Sequence, residues 1–303
     1  MTVTDQMSDI DRAIQRTQAF FRGRQTKAGV LARQMVRPDP GDAALTEHLI
    51  RERRLRTRMD GSIEGSLILT ACTVCELLEL RCPLDHAAVV RTLGFVLARQ
   101  DQAGHAFEGC SPERHAQQLC HHYVSGFFSA APRDRELAPL AFPSGVEVSG
   151  EEEARFAASC FALRVVLRAR EERRDGVRRH LESIVALTSD WQPGGGGWSV
   201  DLVLFALSGL ALAPPQYRGH MARLTEGVAA LQQPTGEWQQ AHMFHALDVL
   251  LAIPTPAAQE CVRKAVPHLS GLQRDSGAFD EADSEAKALI ALRAMKLAKK
   301  SGA

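Results

Sequence analysis

The sequence predicts an all-α protein built of six helix pairs, with an inner and an outer row of helices. Three observations predict it. Apolar residues recur at helical spacing along the whole chain, and no convincing alternating strand interrupts them. A glycine turn of the form Q-x-x-x-G-x-[W/F] returns every ~41 residues. The helix before each turn is amphipathic, and the helix after it is apolar on most faces, hence buried on most faces.

The turns come first in the argument. Gln192 to Trp198, Gln232 to Trp238 and Gln273 to Phe279 are clean copies; Gln100 to Phe107 is looser. Met59 to Ile63 and Phe142 to Val146 keep only the glycine turn. The six glycines, Gly61, Gly104, Gly145, Gly196, Gly236 and Gly277, are separated by 43, 41, 51, 40 and 41 residues. Glycine permits the left-handed backbone that ends an outer helix. The aromatic residue fills the gap between pairs, and the Gln amide bonds backbone groups freed at a helix end.

The outer helices are predicted at His86–Arg99, Gly176–Leu187, Met221–Leu231 and Ala257–Leu272. The inner helices are predicted at Gly65–Leu80, Glu113–Ser129, Glu151–Arg168, Val200–Leu212, Ala241–Ile253 and Ser284–Leu297. Residues 1–50 hold a helical stretch, Ile10 to Gly23, and read as an N-terminal extension joining the outer row. The Pro- and Gly-rich stretch from Ser129 to Gly150 and an insertion near Arg168–Arg179 read as surface loops. The whole chain, 1–303, reads as one domain.

Composition bounds the function. With 303 residues, 45% hydrophobic and 24% charged, the chain supports a full core and is not a disordered protein. Lys plus Arg and Asp plus Glu number 36 each, so the basic excess of a nucleic-acid binder is missing. The N-terminus has no apolar signal region, and the longest apolar stretch, Leu202–Pro214, falls short of the ~20 residues that span a bilayer. These features predict a cytoplasmic protein. The seven cysteines are dispersed and read as small buried hydrophobes. Cys72 and Cys75 form a C-x-x-C, but no second pair stands at zinc-finger spacing.

The turn Q-x-x-x-G-x-W resembles the QW motif of the terpenoid cyclase and protein prenyltransferase superfamily, over about residues 55–300. An open solenoid of HEAT type has a similar period; the resemblance implies closure into an (α/α)6 toroid, with the six glycines at one end of the ring. The inner helices would then run one way, their N-termini converging on a cavity mouth attractive to an anion such as a diphosphate. The plainer reading is a cavity filled with side chains.

Further expectations follow from the resemblance. Class II cyclases of the superfamily begin an inner helix with D-x-D-D-T-A, whose middle Asp protonates an alkene or epoxide. Here Glu281, Asp283, Ser284 and Glu285 occupy the corresponding start. Asp283 would be the acid and Glu281 the first carboxylate, while Ser284 and Glu285 replace the last Asp and the Thr. Helix capping is the structural alternative. Protein prenyltransferases hold zinc through D-x-C and a His of the next inner helix. Asp201 is kept, Val203 stands in place of the Cys, and His242 falls at the matching place, with His245 a turn on. With no complete ligand set, no cofactor is expected; if zinc or magnesium binds, Asp201, His242 and His245 would hold it.

His121, His122 and Tyr123 lie in the second inner helix and, with Phe127, Phe205, His242 and His245, form the expected substrate wall. His can act as general acid or base there or simply be satisfied in the interior. Arginines cluster at Arg51–Arg58 and at Arg164–Arg179, where a phosphate grip competes with a solvated outer face. Only 17 aromatic residues are present, thin for a polycyclising enzyme and enough for a short prenyl chain. The implied function is the binding, cyclisation or transfer of an isoprenoid, a prenyl diphosphate for instance. The alternatives are a non-catalytic toroid that binds an apolar ligand or a protein partner, and zinc-dependent alkyl transfer.

Overall fold

A computed structural model of the chain describes residues 3–108, 124–195 and 198–301. It is mostly helical. The helices are α1 (Val3–Phe21), α2 (Lys27–Val36), α3 (Asp42–Arg56), α4 (Leu67–Glu79) and α5 (Ala87–Leu97). A short hairpin, β1 (Leu140–Ala141) and β2 (Glu147–Val148), precedes α6 (Glu151–Arg168) and α7 (Asp175–Thr188). Then come α8 (Val200–Leu210), α9 (Arg218–Ala230), α10 (Met243–Leu250), α11 (Pro256–Leu272) and α12 (Glu285–Ser301). No helix of the described residues is long and apolar enough to cross a membrane.

Local chemistry sets the helix starts. Thr26, Ser66, Ser199 and Thr255 each accept a hydrogen bond from the backbone N–H three residues on, opening α2, α4, α8 and α11. Pro256 takes the first position of α11, where its missing N–H costs nothing. Helix α8 is buried from Leu202 through Leu210, whereas α9 buries only Met221, Leu224, Thr225 and Val228 along one stripe.

The packing is sequential, and the last helices meet the first. Helix α6 packs between α4 and α8, α8 touches α10, α10 touches α12, and α12 touches α2. Helix α1 meets both α11 and α12. The link from α2 to α4 runs through the Lys27–Glu79 ion pair at 2.8 Å and the Val30, Leu49, Leu80 cluster. Arg24 and Thr26 both donate to the Glu285 carboxylate at the start of α12, tying the first fifty residues to the last helix. Residues 1–50 hold α1, α2 and the start of α3, and α2 buries Ala28, Val30 and Ala32.

Three of the glycine turns share one construction, at Gly61, Gly236 and Gly277. At Gln232–Trp238, Gly236 N–H donates to Gln233 O at 2.9 Å, and Gln233 N–H to Glu237 O at 2.8 Å. Around Gly277 and Gly61 the same pair of bonds recurs, from Arg274 and from Arg58. The Gln232 amide donates to Cys261 O on α11, and the Gln273 amide to Ala13 O and Thr17 Oγ1 on α1. These two turns are thus tied to α11 and to α1. Trp238 is buried and its indole N–H donates to Val228 O at 3.0 Å; Phe279 is buried, and Trp198 is half-buried against Phe156.

Two expectations fail here. The Gly145 turn has the same backbone bonds, Gly145 N–H to Phe142 O and Phe142 N–H to Val146 O. It is nevertheless the tip of the β1–β2 hairpin, set against Lys287 and His242 instead of an outer helix. The Ser129–Gly150 stretch is therefore no plain surface loop. Phe142, Val146 and Val148 are buried, and the Phe142 ring sits 4.5 Å from Phe205 and 5.7 Å from Phe161. Its Pro and Gly residues make the turns, while its apolar residues anchor the segment inward. The expected inner helix Glu113–Ser129 falls largely outside the described residues; its last part, from Val124, is not helical. Gly196 also lies outside them.

Candidate functional site

A cavity of about 110 Å³ lies where α2, α4, α6, α10 and α12 face one another. The hairpin turn contributes Pro143 and Ser144 to its lining. Phe161, Ala286, Leu289 and Ile290 give it an apolar wall. The remainder is charged or thiol-bearing: Lys27 on α2, Cys72, Cys75, Glu76 and Glu79 on α4, Arg164 and Arg168 on α6, Asp248 on α10 and Arg293 on α12.

Glu79, at the end of α4, is the hub. It accepts from Lys27 Nζ at 2.8 Å and from Arg293 Nη2 at 3.2 Å, and Arg168 Nη1 stands 3.8 Å away. Burial alone would push its carboxyl up, but the three cations together hold it below the ordinary value. Burial also opposes the charge of Lys27, yet Glu79 holds the ammonium above its usual value. Arg164 donates to Asp248 Oδ2 at 2.5 Å. Burial opposes that carboxylate, and the Arg164 guanidinium overrides it, bringing Asp248 down to about 2. Glu76 is drawn outward by Arg53 at 3.0 Å. Arg168 Nη1 donates to Cys75 Sγ at 3.0 Å. Cys72, the other half of the C-x-x-C, is pushed up to about 12, chiefly by burial, and stays a thiol.

The residues singled out by resemblance lie elsewhere. Asp283 is exposed, with φ +50°, in the turn before α12, and the Glu281 side chain is 97% exposed. Both are open to water and not set against an apolar cavity wall. Neither caps the helix: Asp280 Oδ1 accepts from Ser284 N–H, and Asp280 also pairs with Lys287. Asp283 and Glu281 are thus not placed as a buried acid pair. His121, His122 and Tyr123 lie outside the described residues.

Asp201, His242 and His245 do come together. Asp201 Oδ1 bonds His245 Nδ1 at 2.9 Å, and both carboxylate oxygens accept the His242 backbone N–H, at 3.2 and 3.1 Å. The carboxylate therefore serves the start of α10 and fixes the His245 ring, which packs 4.3 Å from Phe205. His242 is lowered from its ordinary value, first by burial and then by the nearby Lys287. Among the described residues, no group of three His, Cys, Asp or Glu side chains is placed to hold a metal ion. Phe127 is fully buried against His180 and Phe156. Of the expected wall, none of Phe127, Phe205, His242 and His245 lines the cavity; Phe205, His242 and His245 pack with one another or with the hairpin, and Phe127 packs elsewhere.

The arginine clusters divide. Arg51, Arg54, Arg56, Arg58, Arg170, Arg173 and Arg174 are exposed, as a solvated face requires. Arg164, 8% exposed, and Arg168 turn inward. No family model matches the chain, and no curated protein matches it.

Proposed function

We propose that the chain is an (α/α)6 toroid that binds a small molecule in its central cavity and does not cyclise a polyisoprenoid. The pairs are α1/α2, α3/α4, α5/α6, α7/α8, α9/α10 and α11/α12, with the second helix of each pair inside. Closure is supported by the contacts of α1 with α11 and of α12 with α2, and by the Gln273 amide bonded to α1. The non-catalytic reading rests on one observation: among the described residues, the pocket between α2, α4, α6, α10 and α12 measures about 110 Å³ and is lined mostly by charged groups. Pockets for drug-sized ligands run to roughly 300–1,000 Å³. A prenyl chain would have to displace the ion pairs, while Asp283 stays outside.

The test pairs two assays on the full chain. Ligand-observed NMR with neutral fragments of up to about eight heavy atoms should find saturable binders. Ala286→Phe, which fills the cavity, should abolish that binding. Incubation with prenyl diphosphates of several lengths should give no product by mass spectrometry. A prenyl product from the wild type would restore the cyclase or transferase reading, and fragment binding indifferent to Ala286→Phe would remove the cavity from the argument.

A further inference from the structure

We infer that the central cavity is a binding site for a small oxyanion, a short carboxylate or a phosphate, gripped by Arg168 and Arg293 with Lys27 and Arg164 beside them. The inference rests on the small-molecule reading above and names its ligand class.

Unspent donors carry it. A guanidinium has five N–H donors in a planar fork. Among the described residues, Arg168 spends one on the Cys75 sulfur, a weak acceptor, and Arg293 spends one on Glu79. Arg164 spends one on Asp248. All three side chains line the same cavity; Arg164 is buried, and Arg168 and Arg293 are half-buried. A half-buried donor fork at a cavity wall with one protein bond made is satisfied by water or by an oxyanion. Only the oxyanion also answers the charge.

The charge is uneven in the same direction. Lys27, Arg168 and Arg293 converge on the single carboxylate of Glu79. The Arg164–Asp248 pair balances itself, and Glu76 is turned towards Arg53. The Glu79 end of the cavity is therefore left cationic. Arg164 and Arg168 sit one turn apart on α6, so one helix face presents both forks. Charge-assisted, bidentate bonds from arginine suit carboxylate and phosphate geometry.

Size sets the upper limit. About 110 Å³ corresponds to roughly four waters at ~30 Å³ each. Phosphate, acetate or malonate fits that space. Phe161, Leu289 and Ile290 on the opposite wall tolerate a short carbon chain. The hairpin turn adds Pro143 and Ser144 to the lining.

The experiment is calorimetry on the full chain in chloride-poor buffer, with inorganic phosphate, acetate and malonate titrated separately. The expected result is saturable 1:1 binding of at least one of them, weakened tenfold or more by Arg168→Gln and by Arg293→Gln. Which probe binds separates the phosphoryl from the carboxylate source. Arg293 is the more exposed of the two, so its variant keeps the test alive if Arg168→Gln fails to fold by circular dichroism. Binding unchanged in the folded variants overturns the inference. Neutral fragments that bind and respond to Ala286→Phe, with no anion binding, also overturn it while leaving the small-molecule cavity standing. No probe of either kind binding ends both.

Discussion

Replacing Gly277 by Ala tests the closure of the helix row at its most exacting point. Gly277 has φ +88°, and a Cβ built there falls 2.3 Å from the Arg16 carbonyl oxygen and 3.0 Å from Phe20 Cβ, both on α1. The left-handed backbone costs an alanine about 1–2 kcal/mol. Relieving the clash requires backbone movement, because the nearest atom is a carbonyl held within a helix; overpacking of that kind costs about 1–3 kcal/mol. The two together give a loss of about 2–5 kcal/mol, equivalent to a fall in Tm of very roughly 4–10 °C for a chain of this size. Gly271, six residues earlier at the end of α11, is the internal control. Nothing lies within 4 Å of its added Cβ, and its φ is ordinary. Gly271→Ala should be neutral or stabilise by up to about 1 kcal/mol. Denaturant unfolding of both variants measures the contrast. Hydrogen exchange should place the added opening of Gly277→Ala in α1 and α11. A Gly277→Ala variant within ~0.5 kcal/mol of wild type, or one whose opening spares α1, would refute the tight seam between the last turn and the first helix.

Other outcomes follow from named contacts. Trp238→Ala removes a buried indole and its bond to Val228 O and should cost about 3–5 kcal/mol in the same unfolding assay; a loss under ~1 kcal/mol would mean that the turn aromatic is ornamental. Asp283→Asn changes an exposed side chain and should alter stability by less than ~0.5 kcal/mol with no effect on ligand binding; loss of binding would place a functional mouth at that turn. His180 is fully buried against Phe127 and Phe128, and burial lowers it from the ordinary 6.5 to about 3. The unfolded chain then takes up a proton near pH 6.5 that the folded chain refuses until about 3. Stability is full above pH 6.5 and declines as pH falls towards 3, by up to about 1.4 kcal/mol per unit. Unfolding at pH 7.5, 6.0 and 5.0 should show that slope in wild type and a shallower one in His180→Gln; equal slopes would assign the acid sensitivity to other groups.

The fold was largely legible because its turns are local chemistry. Gln232, Gly236 and Trp238 solve three problems within seven residues: a carbonyl tied across, a left-handed link and a filled gap. Such solutions leave a mark in sequence. The same locality misplaced Gly145. Its five-residue turn has the backbone bonds of the others, but the element that follows and precedes it is a two-residue strand, and long-range packing of Phe142 decides where the turn goes. Helix α2 escaped notice for a related reason. Lys27–Val36 is short, and its inward face is made of Ala28, Gly29, Val30 and Ala32, small residues whose burial leaves little hydrophobic signal.

The site was less legible, although a signal was present. Arg164 was grouped with the arginines that follow it, yet its neighbours Leu163, Val165, Val166 and Leu167 are all buried, so no outward face exists at that point of α6. Asp248 has the same setting between Leu247 and Val249 on α10. A lone charge in a helix apolar all round cannot be left unpaired, since isolating it in the interior costs several kcal/mol. Two such charges of opposite sign, in two helices both predicted to face inward, therefore predict one another across the cavity. The 2.5 Å contact between Arg164 and Asp248 is that pair. Glu76 and Glu79 in the Leu-rich α4 belong to the same argument and require cations in return, which Arg53, Lys27, Arg168 and Arg293 provide. Resemblance drew attention to carboxylates at helix starts, where acids are common because they stabilise any helix. The rarer placement, charge in the middle or at the end of an apolar helix, is the one that locates the cavity.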